Sequence, residues 1–180
     1  MSELRVYPEN DPNCAQIFTD PEAIASELDA IGVMFERWRA DRELAADAGQ
    51  EEVLAAYRGP VERLMKQYDF KSVDVISVHP DHPDKEALRA RFLDEHYHTD
   101  YEVRFFVDGR GLFCIHRQGK IYSVLCEKGD LISVPAHTTH WFDMGPQPFL
   151  KAIRLFTTPE GWVANFTGND IASRFPRLEN

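Results

Sequence analysis

The chain has 180 residues, the length of one domain, and 43% apolar with 28% charged residues is the composition of an ordinary soluble protein. Its formal net charge of −10 argues against a nucleic-acid partner, which would require a basic surface. No run is long and apolar enough for a membrane span, and no signal peptide is evident. Three cysteines cannot all pair internally, which is typical of a reducing cytoplasm. We therefore expect a cytoplasmic, monomeric, single-domain protein spanning residues 1–180, without membrane contact.

The first part of the chain alternates helical patterns with strand-like runs. Asp20-Pro21 supplies an N-cap and a first-turn proline for the first helix, and Gly32 ends it. Gly59-Pro60 interrupts the second helical pattern, which predicts a kink or two short helices. The predicted helices are 21–31, 51–68 and 83–93, and the predicted strands are 33–38 and 73–78.

From Glu102 onward, short β-like runs alternate with glycine-containing turns. The predicted strands are Glu102–Val107, Leu112–His116, Ile121–Cys126, Leu131–Val134, His140–Met144 and Phe149–Phe156. Closely spaced strands with glycine turns favour an antiparallel barrel or sandwich, and a last short helix is predicted near 170–174. The fold class is therefore mostly β with flanking helices. Residues 1–95 would supply helices and outer strands, and residues 96–166 most of the barrel.

The segment from His96 to Arg104 carries the strongest chemical signal. If a strand begins near His96, then His96, His98, Glu102 and Arg104 point to one side, because strand side chains alternate faces. His140, on a later strand-like run, is a fourth candidate ligand. Imidazoles and a carboxylate without thiolate suit Fe, Ni, Mn, Cu or Zn, and four such ligands leave two positions on an octahedral ion for an oxygen-rich substrate. The alternative is that His96 and His98 form an exposed face at a strand entry.

Two motifs in this region resemble those of the cupin superfamily. His96, His98 and Glu102, followed by Gly109, match the first cupin motif, and the second motif is matched by three further residues, Gly129, Pro135 and His140. The chain departs from the second motif at two positions, His137 and Met144. The resemblance implies a cupin-type antiparallel β-barrel, or jelly roll, with a metal inside, and leaves the reaction open.

Longer blocks are similar to the bacterial acireductone dioxygenases along nearly the whole chain. The matching blocks include 32–38, 74–77, 85–89, 100–107, 133–137, 140–145 and 159–162. The resemblance implies that His96, His98, Glu102 and His140 hold one Fe2+ or Ni2+ per chain. It also implies that the substrates are acireductone, 1,2-dihydroxy-3-keto-5-(methylthio)pentene, and O2 in methionine salvage. The iron form would give 2-keto-4-methylthiobutyrate and formate, and the nickel form methylthiopropionate, formate and carbon monoxide.

Five further residues are candidates for substrate binding. Arg104 would face the metal ligands and bind the negative oxygens of an enediolate, or else form an ion pair with Glu36 or another acid. Arg154 would either neutralise a buried carboxylate or hold substrate. Phe142 shares the parity of His140 and would form an apolar wall. Strand phase favours Phe106 over Phe105 as the residue that lines the barrel.

The fifth candidate, Trp162, would close the pocket against a thioether tail, or would be plain core packing. His137 is interpreted as a rim residue or a hydrogen-bonding neighbour of the ligands. Two alternatives to the acireductone dioxygenase function stay open. The chain could be another cupin dioxygenase or an isomerase, or it could be a cupin that binds a small metabolite without turnover.

Overall fold

The computed structural model describes residues 1–45, 47–158 and 163–179. Within these residues the strands are β1 Glu3–Pro8, β2 Gln16–Phe18, β3 Met34–Arg37, β4 Ser72–Val78, β5 His96–Tyr97, β6 Glu102–Arg117, β7 Lys120–Glu127, β8 Asp130–Val134, β9 His140–Asp143, β10 Leu150–Phe156 and β11 Asn165–Phe166. The helices are α1 Pro21–Asp29, α2 Gln50–Ala56, α3 Arg58–Tyr68, α4 Lys85–Phe92 and a short 3-10 helix, Ile171–Arg174. The mostly β class with flanking helices is confirmed.

Strand β6 is the centre of the fold, because it pairs with four other strands, all antiparallel. Residues 102–109 pair with β8 and β10, and residues 110–117 pair with β7 and β9. One sheet therefore has the order β4-β10-β6-β8-β3, and the other the order β2-β1-β7-β6-β9-β5-β11. The two sheets face each other, and β6 belongs to both.

The predicted glycine-containing turn between Glu102–Val107 and Leu112–His116 is wrong, since Asp108 and Gly109 lie within the continuous strand β6. Gly109 has φ +68°, and a Cβ there would lie 1.9 Å from the carbonyl oxygen of Phe149. Only glycine fits this point, where β6 changes partners and the register with β10 shifts at Lys151/Ala152. The glycine therefore bends a strand where the sequence pattern predicted a break between two.

Two apolar clusters lie on opposite faces of the β10–β6–β8 sheet. The inner cluster, between the sheets, contains Phe106, Phe113 and Phe142. The outer cluster contains Phe105 and packs against Tyr57, and it takes in residues of both α2 and α3. Two short helices are present, as one of the two predicted options had it, but the break between them is at Tyr57, and Gly59-Pro60 lies in the first turn of α3. No helix within the described part of the chain has the length and apolar character needed to cross a membrane.

Candidate metal centre

Three histidines from three segments meet at one end of the space between the sheets. His96 of β5 pairs in register with His140 of β9, and His98 lies just beyond β5. One candidate ligand atom from each of the three lies within 4.8 Å of the others, and all three side chains are buried. Glu102 begins β6 on the facing sheet. The expected single strand from His96 is wrong, because residues 98–101 form a loop between β5 and β6, yet the four side chains still converge.

The loop is fixed by Asp100. Its carboxylate accepts hydrogen bonds from the backbone N–H of Thr157 at 2.9 Å, from the Thr157 hydroxyl, and from the Tyr101 N–H at 2.7 Å. This anchor ties the loop to the end of β10. Loop geometry, and not strand alternation, therefore brings His98 and Glu102 together.

Each histidine uses its Nδ1 atom to donate to a backbone carbonyl. The acceptors are Asp94 for His96 at 2.7 Å, Val163 for His98 at 2.9 Å and Thr138 for His140 at 2.8 Å. An imidazole whose Nδ1–H is engaged in this way presents an unprotonated Nε2 to a metal, and the carbonyl fixes the ring orientation. The three rings are therefore preset as Nε2 ligands.

The Glu102 carboxylate contacts two of the three histidines. Its Oε2 lies 2.7 Å from Nε2 of His140 and 3.1 Å from Nε2 of His98, while its Oε1 accepts from Arg104 at 2.8 Å. Glu102 and Arg104 are each 2% exposed. Three imidazole nitrogens and one carboxylate oxygen, with no thiolate, are donors that fit Fe2+ or Ni2+. The residues therefore fit a single such ion.

The charges in the cluster set the protonation states that a metal requires. Burial, together with the neighbouring His140, lowers the pKa of His96 to about 4, so this imidazole is neutral at physiological pH. Burial alone would raise the pKa of Glu102, but Arg104 and His140 hold it well below its usual range. Burial likewise opposes protonation of His98, but the hydrogen bond to Glu102 outweighs it and raises the pKa of His98. Metal binding at Nε2 of His98 would therefore compete with protonation of this imidazole.

Aromatic rings enclose the cluster on its inner side. The Arg104 guanidinium carbon lies 4.5 Å from the ring centroid of Phe142 and 5.1 Å from that of Phe113. The Phe113 ring is 6.3 Å from His140, and the rings of Phe92 and Phe166 lie 6.5 and 5.6 Å from His96. Phe113 and Phe142, which are 0% and 1% exposed, keep water from the inner side of the site, so charge interactions there are strong, whereas Phe166 is 55% exposed.

The structure shows where each residue that was predicted to line the pocket lies relative to the metal centre. Phe142 forms a wall of the cluster, and Phe106 lies in the inner cluster, as strand phase favoured, whereas Phe105 is on the outer face. Arg104 pairs with Glu102 and not with Glu36, whose carboxylate accepts from Trp38 at 2.7 Å. Trp162 lies outside the described residues.

Arg154 forms an ion pair with Asp74 on the neighbouring strand. Its Nε and one terminal nitrogen donate to the two carboxylate oxygens at 2.7 and 2.6 Å. Of the two predicted roles, neutralising a carboxylate is therefore observed, although Asp74 is one-third exposed and not fully buried. A role in holding substrate stays a prediction.

Sequence reasoning missed several residues that orient the ligands. The carbonyls of Asp94, Val163 and Thr138 leave no signal in residue type, because any residue supplies a carbonyl. Phe113 lies in the predicted strand Leu112–His116, so the sequence offered it as a candidate. Its place beside the site follows from the pairing of β6 with β9, which puts Ile115 opposite His140 and Phe113 opposite Phe142. His137 is exposed, its ring lies 5.9 Å from that of Tyr97, and its backbone N–H donates to the His98 carbonyl at 2.8 Å.

Antiparallel strands that enclose a buried group of imidazoles and one carboxylate are typical of the cupin-type metalloproteins. Comparison with known proteins narrows this class. The sequence pattern of the ARD/ARD' family matches residues 4–164, and the chain belongs to that family.

The chain is similar to named members of the family over its full length. It is 59% identical to the acireductone dioxygenase of Methylococcus capsulatus over 180 residues, which covers 100% of this chain and 97% of that protein. It is 58% identical to the acireductone dioxygenase of Pseudomonas aeruginosa over 181 residues, with 100% of both chains covered. Among solved structures, the acireductone dioxygenase of Bacillus anthracis, with a cadmium ion in its active centre, superposes with a TM-score of 0.81. That match has 31% identity and covers 92% of this chain and 98% of the other.

Proposed function

We propose that this chain is a metal-dependent dioxygenase that cleaves acireductone with O2 in methionine salvage, using one Fe2+ or Ni2+ per chain. The observation that carries the proposal is the convergence of three buried histidines, two of which contact the Glu102 carboxylate, with every Nδ1–H donating to a backbone carbonyl. The names of the relatives support the substrate. The cadmium ion in the active centre of the Bacillus anthracis protein supports the metal.

His96, His98, Glu102 and His140 would hold the ion. When bound, it would supply Lewis-acid polarisation of an oxygen-rich substrate and a fixed position for the reaction. The chain's own contribution is charge and shape. Arg104 lies beside the carboxylate ligand, so its guanidinium would favour the deprotonated form of an enediol and bind its negative oxygen.

The apolar wall would serve a second purpose. Phe113 and Phe142 exclude water from the inner side of the site, which strengthens the attraction between Arg104 and an anionic substrate. Phe106 lies deeper in the same apolar interior. Trp162 is proposed to close the pocket against the thioether tail of the substrate, and core packing is the alternative role. Little acid–base machinery beyond positioning and charge is required.

The setting of the enzyme is part of the proposal. We propose one domain, with residues 96–166 supplying most of the metal-binding barrel, that acts as a monomer in the cytoplasm without nucleic-acid or membrane partners. The net charge of −10 supports the absence of a nucleic-acid partner.

The products test the proposal. One batch of apo-protein is reloaded separately with Fe2+ or Ni2+ and given acireductone under air. The iron form should yield 2-keto-4-methylthiobutyrate and formate, and the nickel form methylthiopropionate, formate and carbon monoxide, which gas chromatography detects. Identical products from both forms would indicate another cupin dioxygenase, and no reaction with either metal would favour a metabolite-binding cupin.

A further inference from the structure

Two arginines lie side by side at the edge of the metal centre. Arg104 of β6 and Arg154 of β10 are directly opposite in register, so their side chains leave the sheet on the same face. That face is the inner one, because Leu150 and Ala152, which share the parity of Arg154, belong to the inner cluster. Like charges directly opposite each other destabilise a strand pair. The arrangement therefore requires compensation.

The two guanidinium groups turn in opposite directions. Arg104 donates to Glu102 at 2.8 Å and lies over Phe142. Arg154 turns toward β4, where it makes its two hydrogen bonds with Asp74, and its guanidinium carbon lies 5.4 Å from the ring centroid of Phe156. Their divergence reduces the repulsion between them.

Asp74 extends this row of charges by one strand. It is the register partner of Arg154 on β4, so three neighbouring strands carry Asp74, Arg154 and Arg104 in one row. Glu102 lies two residues before Arg104 on β6 and accepts its hydrogen bond, which ends the series of charge contacts. The signs run negative, positive, positive, negative. Exposure falls along the row, from 33% for the Asp74 side chain to 2% for Glu102. Each arginine therefore has its own carboxylate partner.

We propose that Asp74 is a positioning residue of the metal centre, because its two-point contact keeps Arg154 turned toward β4. This inference rests on the proposed metal site. Without the charge of Asp74, the Arg154 guanidinium is drawn along the row to Glu102. There it competes with a metal cation for the same carboxylate oxygens, and it adds a second positive charge next to the ion.

The test is metal affinity, measured with Ni2+ alone by competition with a coloured chelator. Asp74→Asn should raise the Kd for Ni2+ on the order of tenfold, the scale of coupling between close charges in partly buried sites. Asp74→Ser removes the same charge and should show the same loss. Adding Arg154→Gln should restore affinity, so that Asp74→Asn/Arg154→Gln binds Ni2+ as Arg154→Gln alone does.

Asp69→Asn is the matched control. Asp69 pairs with Lys71 near the start of β4, is 84% exposed, and has φ +56°, a conformation that asparagine tolerates. This variant removes the same charge near the same strand and should leave the Kd for Ni2+ unchanged.

Two results would overturn the inference. One is a normal Kd for Ni2+ in both Asp74 variants with only a lower Tm, which would make the pair purely structural. The other is a loss of affinity that Arg154→Gln does not restore, which would show that Asp74 does not act through Arg154. A wild-type protein that binds Ni2+ but consumes no O2 with acireductone would contradict the proposed function, while the Kd comparison would still decide the role of Asp74.

Discussion

Replacing Arg104 with alanine tests two roles of this residue: it stabilises the metal-free protein, and it is proposed to bind the substrate. The substitution removes the 2.8 Å hydrogen bond to Glu102 and leaves that carboxylate buried at 2% exposure without its cationic partner. Breaking a buried ion pair at one end costs about 3–5 kcal/mol, and we take about 3 kcal/mol because His98 and His140 still contact Glu102. For a chain of this length, that corresponds to a fall in Tm of about 6–12 °C in the apo-protein.

The metal-loaded variant should behave differently. A bound cation would neutralise the negative charge of Glu102 in place of Arg104, so the fall in Tm should be smaller than in the apo-protein. Removing the neighbouring positive charge would also strengthen binding of the cation, so the metal content should be retained. Turnover of acireductone should drop about ten- to a hundredfold, the effect of losing one charge-assisted hydrogen bond.

The assays are thermal unfolding of the apo and metal-loaded proteins, metal analysis, and oxygen uptake. Arg104→Lys is the control, because it keeps the charge but lacks the planar fork, and it should recover part of the stability and part of the turnover. An Arg104→Ala protein with unchanged apo Tm and unchanged turnover would refute the reasoning about both the ion pair and the substrate.

Three further predictions follow from other contacts. Asp143 is 1% exposed, and burial alone would raise its pKa. Two hydrogen bonds from Arg89 at 2.7 and 3.0 Å, together with those from the backbone N–H groups of Gly145 and Leu178, outweigh burial and lower the pKa. Asp143→Asn should therefore lower the free energy of unfolding by about 3 kcal/mol at pH 7. Measured by urea unfolding, the difference from wild type should shrink as the pH falls below about 4 and through the lowered pKa of the folded state, because Asp143 then becomes protonated and loses its charge. A difference that persists at the lowest pH would contradict this. The affinity for Ni2+ should fall as the pH is lowered, because protonation of His98 competes with metal binding. The fall should begin at a higher pH than for an ordinary imidazole, since Glu102 raises the pKa of His98. In a Ni2+ titration, Glu102→Gln should move this fall to lower pH. Gly111→Ala would place a Cβ 2.3 Å from the Phe142 ring, so it should destabilise by about 1–3 kcal/mol, and an unchanged Tm would show that the ring moves freely.

Strand parity and motif spacing predicted much of the site. Arg104 and Phe142 could be placed because each lies on a strand with a ligand, two residues from Glu102 and His140 respectively. Phe106 could be separated from Phe105 for the same reason. His98 was placed correctly for a reason that is wrong, since the loop held by Asp100 interrupts the strand on which the parity argument depended.

Long-range contacts were beyond the sequence pattern. The β1–β7 pair joins segments more than a hundred residues apart, which no local pattern predicts. The β1–β2 pair joins segments about ten residues apart, but β2 is too short to show a clear alternation of apolar and polar residues. The Val163 carbonyl that orients His98 comes from 65 residues along the chain. The Asp74–Arg154 pair depends on the register of β4 and β10, which neither strand specifies alone.

Oxygen uptake with acireductone tests the central claim most directly. Wild-type protein reconstituted with one equivalent of Fe2+ should consume O2 when acireductone is added. His98→Ala/His140→Ala, which removes two of the four proposed ligands, should lose most of its metal and its oxygen uptake while the barrel stays folded, because the inner cluster is apolar. Full metal occupancy and full oxygen uptake in that double variant would contradict the account.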